Sequence, residues 1–257
     1  MSEGLDRIGE RISRAVSEVE MEKAGIEGLD EAIGGLPNKS VILLVGEPGC
    51  SNTTFAQQIL WNHAEAGGKS AYYLVGTTGL SVRQDMMTYG WQLDNAVKTK
   101  NWSFVNVFTP EMSELLINLS PPDQEKVNVE QNLNTLKRDF LPRTQQGHWT
   151  VIDSVTFLLL EYSPKEVFSL VRYLTVAAHL NGGIHFIIGY EGVHEEHVLN
   201  TLRLLADGVI EFSLKESARG FEGSLLIKKM RKSLKTKVVP FSVGERGIIV
   251  ETAVRIA

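Results

Sequence analysis

Five apolar residues in a row, Val41-Ile-Leu-Leu-Val45, run directly into Gly46-Glu-Pro-Gly-Cys-Ser-Asn-Thr53 and then into a helical pattern over 54–66 that Gly67-Gly68 ends. A run without polar alternation suits a strand buried on both faces, the condition of a central parallel strand. A glycine-containing turn between such a strand and a helix sets backbone N–H groups at the positive end of the helix, where anions are held. This unit commits the chain to an α/β fold, with a mostly parallel central sheet flanked by helices.

The turn is read against the phosphate-loop pattern G-x-x-x-x-G-K-[ST], in which each position has a physical duty. The glycines let the backbone wrap phosphate, the lysine neutralises the outer phosphates, and the hydroxyl binds Mg²⁺. Here Gly46 is the first glycine and Thr53 the hydroxyl, but Ser51 replaces the second glycine and Asn52 the lysine. Asn52 donates a hydrogen bond yet carries no charge, and Ser51 adds a side chain where the backbone must approach phosphate closely. Glu47, Pro48, Gly49, Cys50 and Thr54 complete this vestigial nucleotide-binding set. Cys50 lies at a helix N-terminus, which would lower its thiol pKa; with no paired histidine it reads as a small loop residue.

Elsewhere strand and helix patterns alternate. Strands are expected at 70–75, 104–108, 150–153 and 184–189, and helices at 81–89, across much of 111–142 with a break at Pro121-Pro122, at 164–180 and at 194–206. From Gly208 the rhythm changes to strands at 208–213, 223–230, 236–243 and 247–252. Alternation followed by a β-rich tail implies antiparallel strands added at the C-terminal edge of the parallel sheet. Leu5, Ile8, Ile12, Ala15 and Val19 step by three and four, so residues 3–22 read as an amphipathic helix. The organisation expected is an N-terminal helix within 1–23 and a single domain over 24–257.

Composition narrows the class. With 43% hydrophobic and 22% charged residues and a net charge of -5, the chain has the make-up of a soluble globular protein. One cysteine leaves no disulfide framework or multi-cysteine metal site. No apolar run reaches the roughly 18–20 residues that cross a bilayer, so no membrane insertion is expected and the address is cytoplasmic by default. Residues 1–35 lean acidic, whereas Lys228, Lys229, Arg231, Lys232, Lys235 and Lys237 occur without an intervening acid. That basic stretch is either a solvated strand face or a site for phosphate, nucleic acid or an acidic partner. Net acidity argues against nucleic acid. His194-Glu-Glu-His197 has its histidines three apart rather than four, so no metal is assigned to it. Trp61, Trp91, Trp102 and Trp149 read as core, and Arg83 as surface.

Further motifs fall in order along the chain. Gly25-Ile-Glu-Gly-Leu-Asp-Glu-Ala-Ile-Gly-Gly35, Val45-Gly-Glu-Pro-Gly49, Tyr89-Gly-Trp-Gln-Leu93, Val151-Ile-Asp-Ser154, Ala206-Asp-Gly-Val-Ile210 and Lys229-Met-Arg231 with Pro240-Phe241 resemble KaiC-like and RadA-like members of the RecA superfamily of P-loop ATPases. The resemblance covers about residues 24–251 and implies a RecA-like P-loop NTPase core. It also implies that Asp153 ends a Walker B strand and orients Mg²⁺ through water, and that a glutamate pair which polarises the attacking water in active relatives falls at Gly76 and Thr77. Neither of these residues is a general base. Lys229 and Arg231 match residues that reach the γ-phosphate of an adjacent subunit in relatives, although Lys232 stands where the family has glycine.

Lysine, loop glycine and carboxylates are thus all replaced. The reading is a catalytically inactive pseudo-ATPase that works as a protein-binding scaffold or regulator, with no catalytic residue and no required cofactor. It would self-assemble or cap an active RecA-like relative, and the emptied phosphate cleft would accommodate a peptide segment of a partner. The acidic N-terminal and basic C-terminal stretches suit head-to-tail packing. Three alternatives remain: a sensor that binds ATP and Mg²⁺ weakly without hydrolysis, a recombinase paralogue that binds DNA, and an active ATPase whose lysine is relocated, as Lys229 or Lys232 of a neighbour.

Overall fold

A computed structural model describes residues 20–107, 133–217, 220–231 and 236–250. Its elements are β1 Met21–Glu22, α1 Leu29–Ile33, β2 Leu36–Pro37, β3 Ser40–Gly46, α2 Asn52–Glu65, β4 Ser70–Leu74, α3 Gly79–Thr88, α4 Asp94–Lys98, β5 Trp102–Asn106, α5 Leu133–Gln145, β6 Trp149–Asp153, α6 Val155–Glu161, α7 Pro164–Asn181, β7 Ile184–Tyr190, α8 Glu196–Leu205, β8 Gly208–Ser217, β9 Gly220–Lys229, β10 Lys237–Gly244 and β11 Gly247–Val250.

Nine strands form one sheet in the order β11-β10-β9-β8-β3-β7-β6-β4-β5. From β8 through β3, β7, β6 and β4 to β5 all pairings are parallel, and β8 through β11 are joined antiparallel. The expected α/β architecture with an antiparallel C-terminal edge is therefore present. The apolar run at 41–45 lies in β3, between β7 and β8. Ile42 and Leu44 join one core with Phe55, Ile59 and Trp102, while Val41, Leu43 and Val45 join a second core with Phe140, Leu170 and Leu174. Burial on both faces explains why β3 shows no polar alternation. Trp91, Trp102 and Trp149 are buried and Trp61 packs against the first core, as expected of them.

The polar ends of α7 were written for a helix. Ser163 accepts from the Glu166 amide while Glu166 reaches back to the Ser163 amide, and Pro164 stands at the first helical position. A long-range clasp ties α2 to the far sheet edge, between residues 190 apart in sequence. The buried Gln58 side chain accepts from the Ile248 amide at 2.7 Å and donates to the Ile248 carbonyl at 3.2 Å.

Several expectations change. The helix expected over 3–22 lies outside the described residues up to 19, and its last two residues, Met21 and Glu22, instead form a strand paired with Pro37 and Leu36. Within 111–142 only the part from Leu133 is described; there α5 runs through Pro142 to Gln145. Pro121-Pro122 and Thr252 lie outside the described residues. The helix expected at 194–206 begins at Glu196. His194 consequently stands before it and bonds the Thr156 carbonyl, whereas His197 pairs with Glu195.

Candidate functional site

The loop leaves β3 at the C-terminal end of the parallel strands. Gly46 is closely surrounded: a Cβ there would stand 2.6 Å from both Cys50 Sγ and the Phe212 carbonyl oxygen. Its own carbonyl accepts from the Glu191 amide at 3.0 Å, and the Cys50 amide donates back to Glu47. Gly49 has φ 88° and Ser51 φ 73°. Ser51 therefore occupies the left-handed conformation a glycine would take without strain, and the curved path of the loop is kept although the residue is not glycine.

Asn52 opens α2 and is 2% exposed. Its Nδ2 donates to the Gly189 carbonyl at 3.4 Å and its Oδ1 accepts from the Thr53 amide at 2.9 Å. The residue at the lysine position is thus an uncharged side chain engaged within the fold. Thr53 Oγ1 lies 3.0 Å from the Tyr190 hydroxyl. Thr54 follows on the same turn, half-buried. Asp153 ends β6, is 8% exposed, and accepts a 2.6 Å hydrogen bond from the Tyr72 hydroxyl. Burial pushes its carboxyl up to about 6, with Asp85 adding to the rise and the Tyr72 bond opposing it. The hydroxyl and the carboxylate that the motif assigns to Mg²⁺ are each bonded to a tyrosine.

Beside the loop, Glu47, Pro48, Gly49 and Cys50 face Glu191 and Phe212 across a cleft of about 210 Å³. Lys215 is the one cation among its lining residues. The expectation for Cys50 is reversed. Its thiol pKa is raised, chiefly by burial, while Glu191 and Glu47 push in the same direction and backbone hydrogen bonds only partly oppose them. The helix terminus does not govern this thiol because its surroundings are dry and acidic.

At the end of β4, Gly76 has φ 78°. A Cβ built there would lie 2.6 Å from Cγ of Phe157, whose ring comes from α6. The space next to this backbone is filled by an aromatic ring, and Thr77 beside it is half-buried. Thr78 caps α3 by accepting from the Ser81 amide.

Lys229 and Arg231 are both engaged within the chain. The Lys229 ammonium donates to the carbonyls of Leu204 at 3.1 Å and of Ala206, at the C-terminal end of α8, where a cation opposes the helix dipole. Arg231 donates to the Lys39 carbonyl at 3.0 Å. Lys228 pairs with Glu211, which also holds Arg203, and Arg203 in turn pairs with Glu191. Lys237 donates to the Ala32 carbonyl. Lys232 and Lys235 lie outside the described residues. The basic stretch is therefore largely a set of internal clasps.

Sequence reasoning did not find Tyr72, Tyr190 or Phe157. Tyr72 reads as one more apolar residue of β4, and the partner of each is set by strand order rather than by any spacing.

Residues 22–254 match the family model described as "ATPase: KaiC". A "UPF0273 protein" of Thermotoga maritima is 28% identical over 237 residues, covering 89% of this chain and 94% of the relative. A second "UPF0273 protein", from Pyrococcus furiosus, is 28% identical over 238 residues, covering 89% and 92%. The crystal structure of a KaiC-like protein from Pyrococcus horikoshii superposes with a TM-score of 0.71 at 23% identity, covering 91% of this chain and all of that one, a likeness of fold.

Proposed function

Because this chain belongs to the KaiC family of ATPases within the RecA superfamily, we propose that it is a member that no longer hydrolyses ATP and works by holding protein chains, either copies of itself or an active relative. The observation that carries the reading is Asn52: the position that ordinarily supplies a cation to the outer phosphates holds a buried amide bonded to Gly189. A unit charge pair at ~4 Å is worth roughly 4 kcal/mol at an effective dielectric near 20. Solvent and counterions recover part of this, yet even half corresponds to more than a tenfold loss of affinity, since ~1.4 kcal/mol is a decade.

Three further features support it. Thr53 and Asp153 would hold Mg²⁺, and each already shares a hydrogen bond with a tyrosine hydroxyl that metal binding would have to accommodate. Glu191 adds a carboxylate to the cleft beside the loop, where Lys215 is the one cation among the lining residues. The Phe157 ring fills the space beside Gly76 in place of a carboxylate. This donor set lacks the cation that the outer phosphates call for, and no chemical step is assigned to it. The scaffold role is what this reading leaves to an α/β body whose motif lysine, loop glycine and paired carboxylates are replaced at Asn52, Ser51, Gly76 and Thr77.

The test pairs a Mg–ATP turnover assay with titration of fluorescent ATP into the parent and into Asn52→Lys, alongside light scattering and identification of co-purifying chains. We expect no turnover, weak binding by the parent and a self-associated or partner-bound state. Turnover at the rate of an intact relative overturns the reading. A sensor that binds ATP without hydrolysis is the second reading, favoured by the positive φ of Gly49 and Ser51, which keeps the loop in an anion-wrapping curve. Micromolar ATP binding without turnover would select it. The DNA-binding alternative loses support because Lys228, Lys229, Arg231 and Lys237 are engaged within the fold.

A further inference from the structure

The far edge of the sheet carries a second cleft, at the end of the strands opposite the phosphate loop. It measures about 760 Å³ and lies at the start of β4, β5 and β6, with Lys69, Lys100, Arg83 and Arg143 among its lining residues and no acidic side chain. Side chains from both faces of the sheet meet in it. Phe104 and Arg83 come from the face that carries the first core, with the Arg83 guanidinium 5.4 Å from the Phe104 ring centroid. Ser103 and Arg143 come from the opposite face, joined by a 2.8 Å hydrogen bond. Between the two faces runs the edge strand β5, whose Trp102, Ser103 and Phe104 line the cleft.

Among the described residues the backbone of β5 is paired on one side only, with β4, in parallel register with Ser70 opposite Trp102. The Ser70 amide donates to the Asn101 carbonyl and the Val107 amide donates to the Leu74 carbonyl, so the odd-numbered residues of this segment bond inward. In a parallel pair the alternate residues then turn their N–H and C=O groups away from the neighbour. For β5 these are Trp102, Phe104 and Asn106. Arg83 and Arg143 are partly neutralised by Asp94 and Asp139, whereas Lys69 and Lys100 are exposed and form no ion pair among the described residues.

We propose that the β5 edge is a docking site for an extended acidic peptide of a partner protein, which adds to the sheet as a further strand. Main-chain hydrogen bonds to Trp102, Phe104 and Asn106 supply affinity that is blind to sequence, and the cations on both rims select for negative charge. The proposal is independent of whether the phosphate loop holds nucleotide, because the two clefts sit at opposite ends of the parallel strands.

The test uses the full chain and a short fluorescent peptide of alternating glutamate and valine, followed by anisotropy. Binding is expected at low salt and should weaken about tenfold or more at high salt. The same peptide with lysine for glutamate should not bind, nor should one N-methylated at alternate residues. Hydrogen exchange at the amides of Trp102, Phe104 and Asn106 should slow on binding. Lys69→Glu with Lys100→Glu should weaken binding about tenfold or more while leaving the urea midpoint unchanged. Failure of the parent to bind would mean that the cations merely guard the edge against self-pairing, and would end the proposal. Equal binding of the N-methylated peptide, or displacement by inorganic polyphosphate with no slowing of those amides, would reduce the cleft to a simple anion pocket and overturn it as well.

Discussion

A glutamate at Gly76 is the substitution that the proposed reading invites, and the fold resists it. A side chain at φ 78° takes on the left-handed penalty, roughly 1 kcal/mol. Its Cβ would also stand 2.6 Å from Cγ and 2.8 Å from both Cδ atoms of Phe157, the base of the ring rather than a movable tip. Displacing that ring costs about 1–3 kcal/mol by the measure of overpacked sites. Gly76→Ala and Gly76→Glu are each expected to lose about 2–4 kcal/mol, read from urea denaturation. Phe157→Ala should be mild alone, since the ring is 42% exposed. Combined with Gly76→Ala it should recover the steric part of the loss and leave the backbone part, about 1 kcal/mol. If Gly76→Ala unfolds at the parent's midpoint, or the double variant is no more stable than Gly76→Ala, the account of β4's end as rebuilt around Phe157 is wrong.

Asn52→Lys should raise ATP affinity at least about tenfold over the parent; equal titration curves would remove the charge argument. Asp153 has a folded pKa of about 6 against an ordinary 3.8, so the native state holds the extra proton between those values and its contribution falls as pH rises through that window, by about 3 kcal/mol at most. His63 and His185, lowered to about 4 by burial, act in the opposite direction, adding stability as pH rises from about 4 to 6.5. Asp153→Asn removes the opposing member, so its urea midpoint should climb more steeply than the parent's between pH 4 and 6.5; parallel curves would contradict the carboxyl's assignment. Lys229→Met should cost about 1 kcal/mol through the end of α8, measured by thermal melting; an unchanged melt would show that the ammonium contributes nothing there.

Much of the architecture was legible because it is written locally. The unbroken apolar run of β3 forecasts a strand covered on both faces, and the change of rhythm at Gly208 marks where parallel pairing gives way to antiparallel. What was not legible depends on contacts between distant residues. Tyr72 and Asp153 are 81 residues apart, and Thr53 and Tyr190 137 apart, brought together only by strand order. The two-residue strands β1 and β2 are too short to show any period. Lys229 is the residue type for a role toward a neighbouring subunit, yet its ammonium is held by the carbonyls at the end of α8, 23 to 25 residues earlier in the chain. In the loop itself, the sequence named the replaced residues, but not that Ser51 would hold a glycine's conformation or that Cys50 would be governed by burial.

The clamp of Gln58 on Ile248 has a mechanical consequence. Gln58 lies one and a half to two turns into the helix that starts at the phosphate loop, and β11 is the outermost strand of the opposite sheet edge. Any displacement of α2 along its axis must break or drag both bonds at Ile248, so a disturbance at the loop would be transmitted to the rim as a tug on β11. Such a strut would stiffen the body between the helix that opens at the loop and the sheet rim.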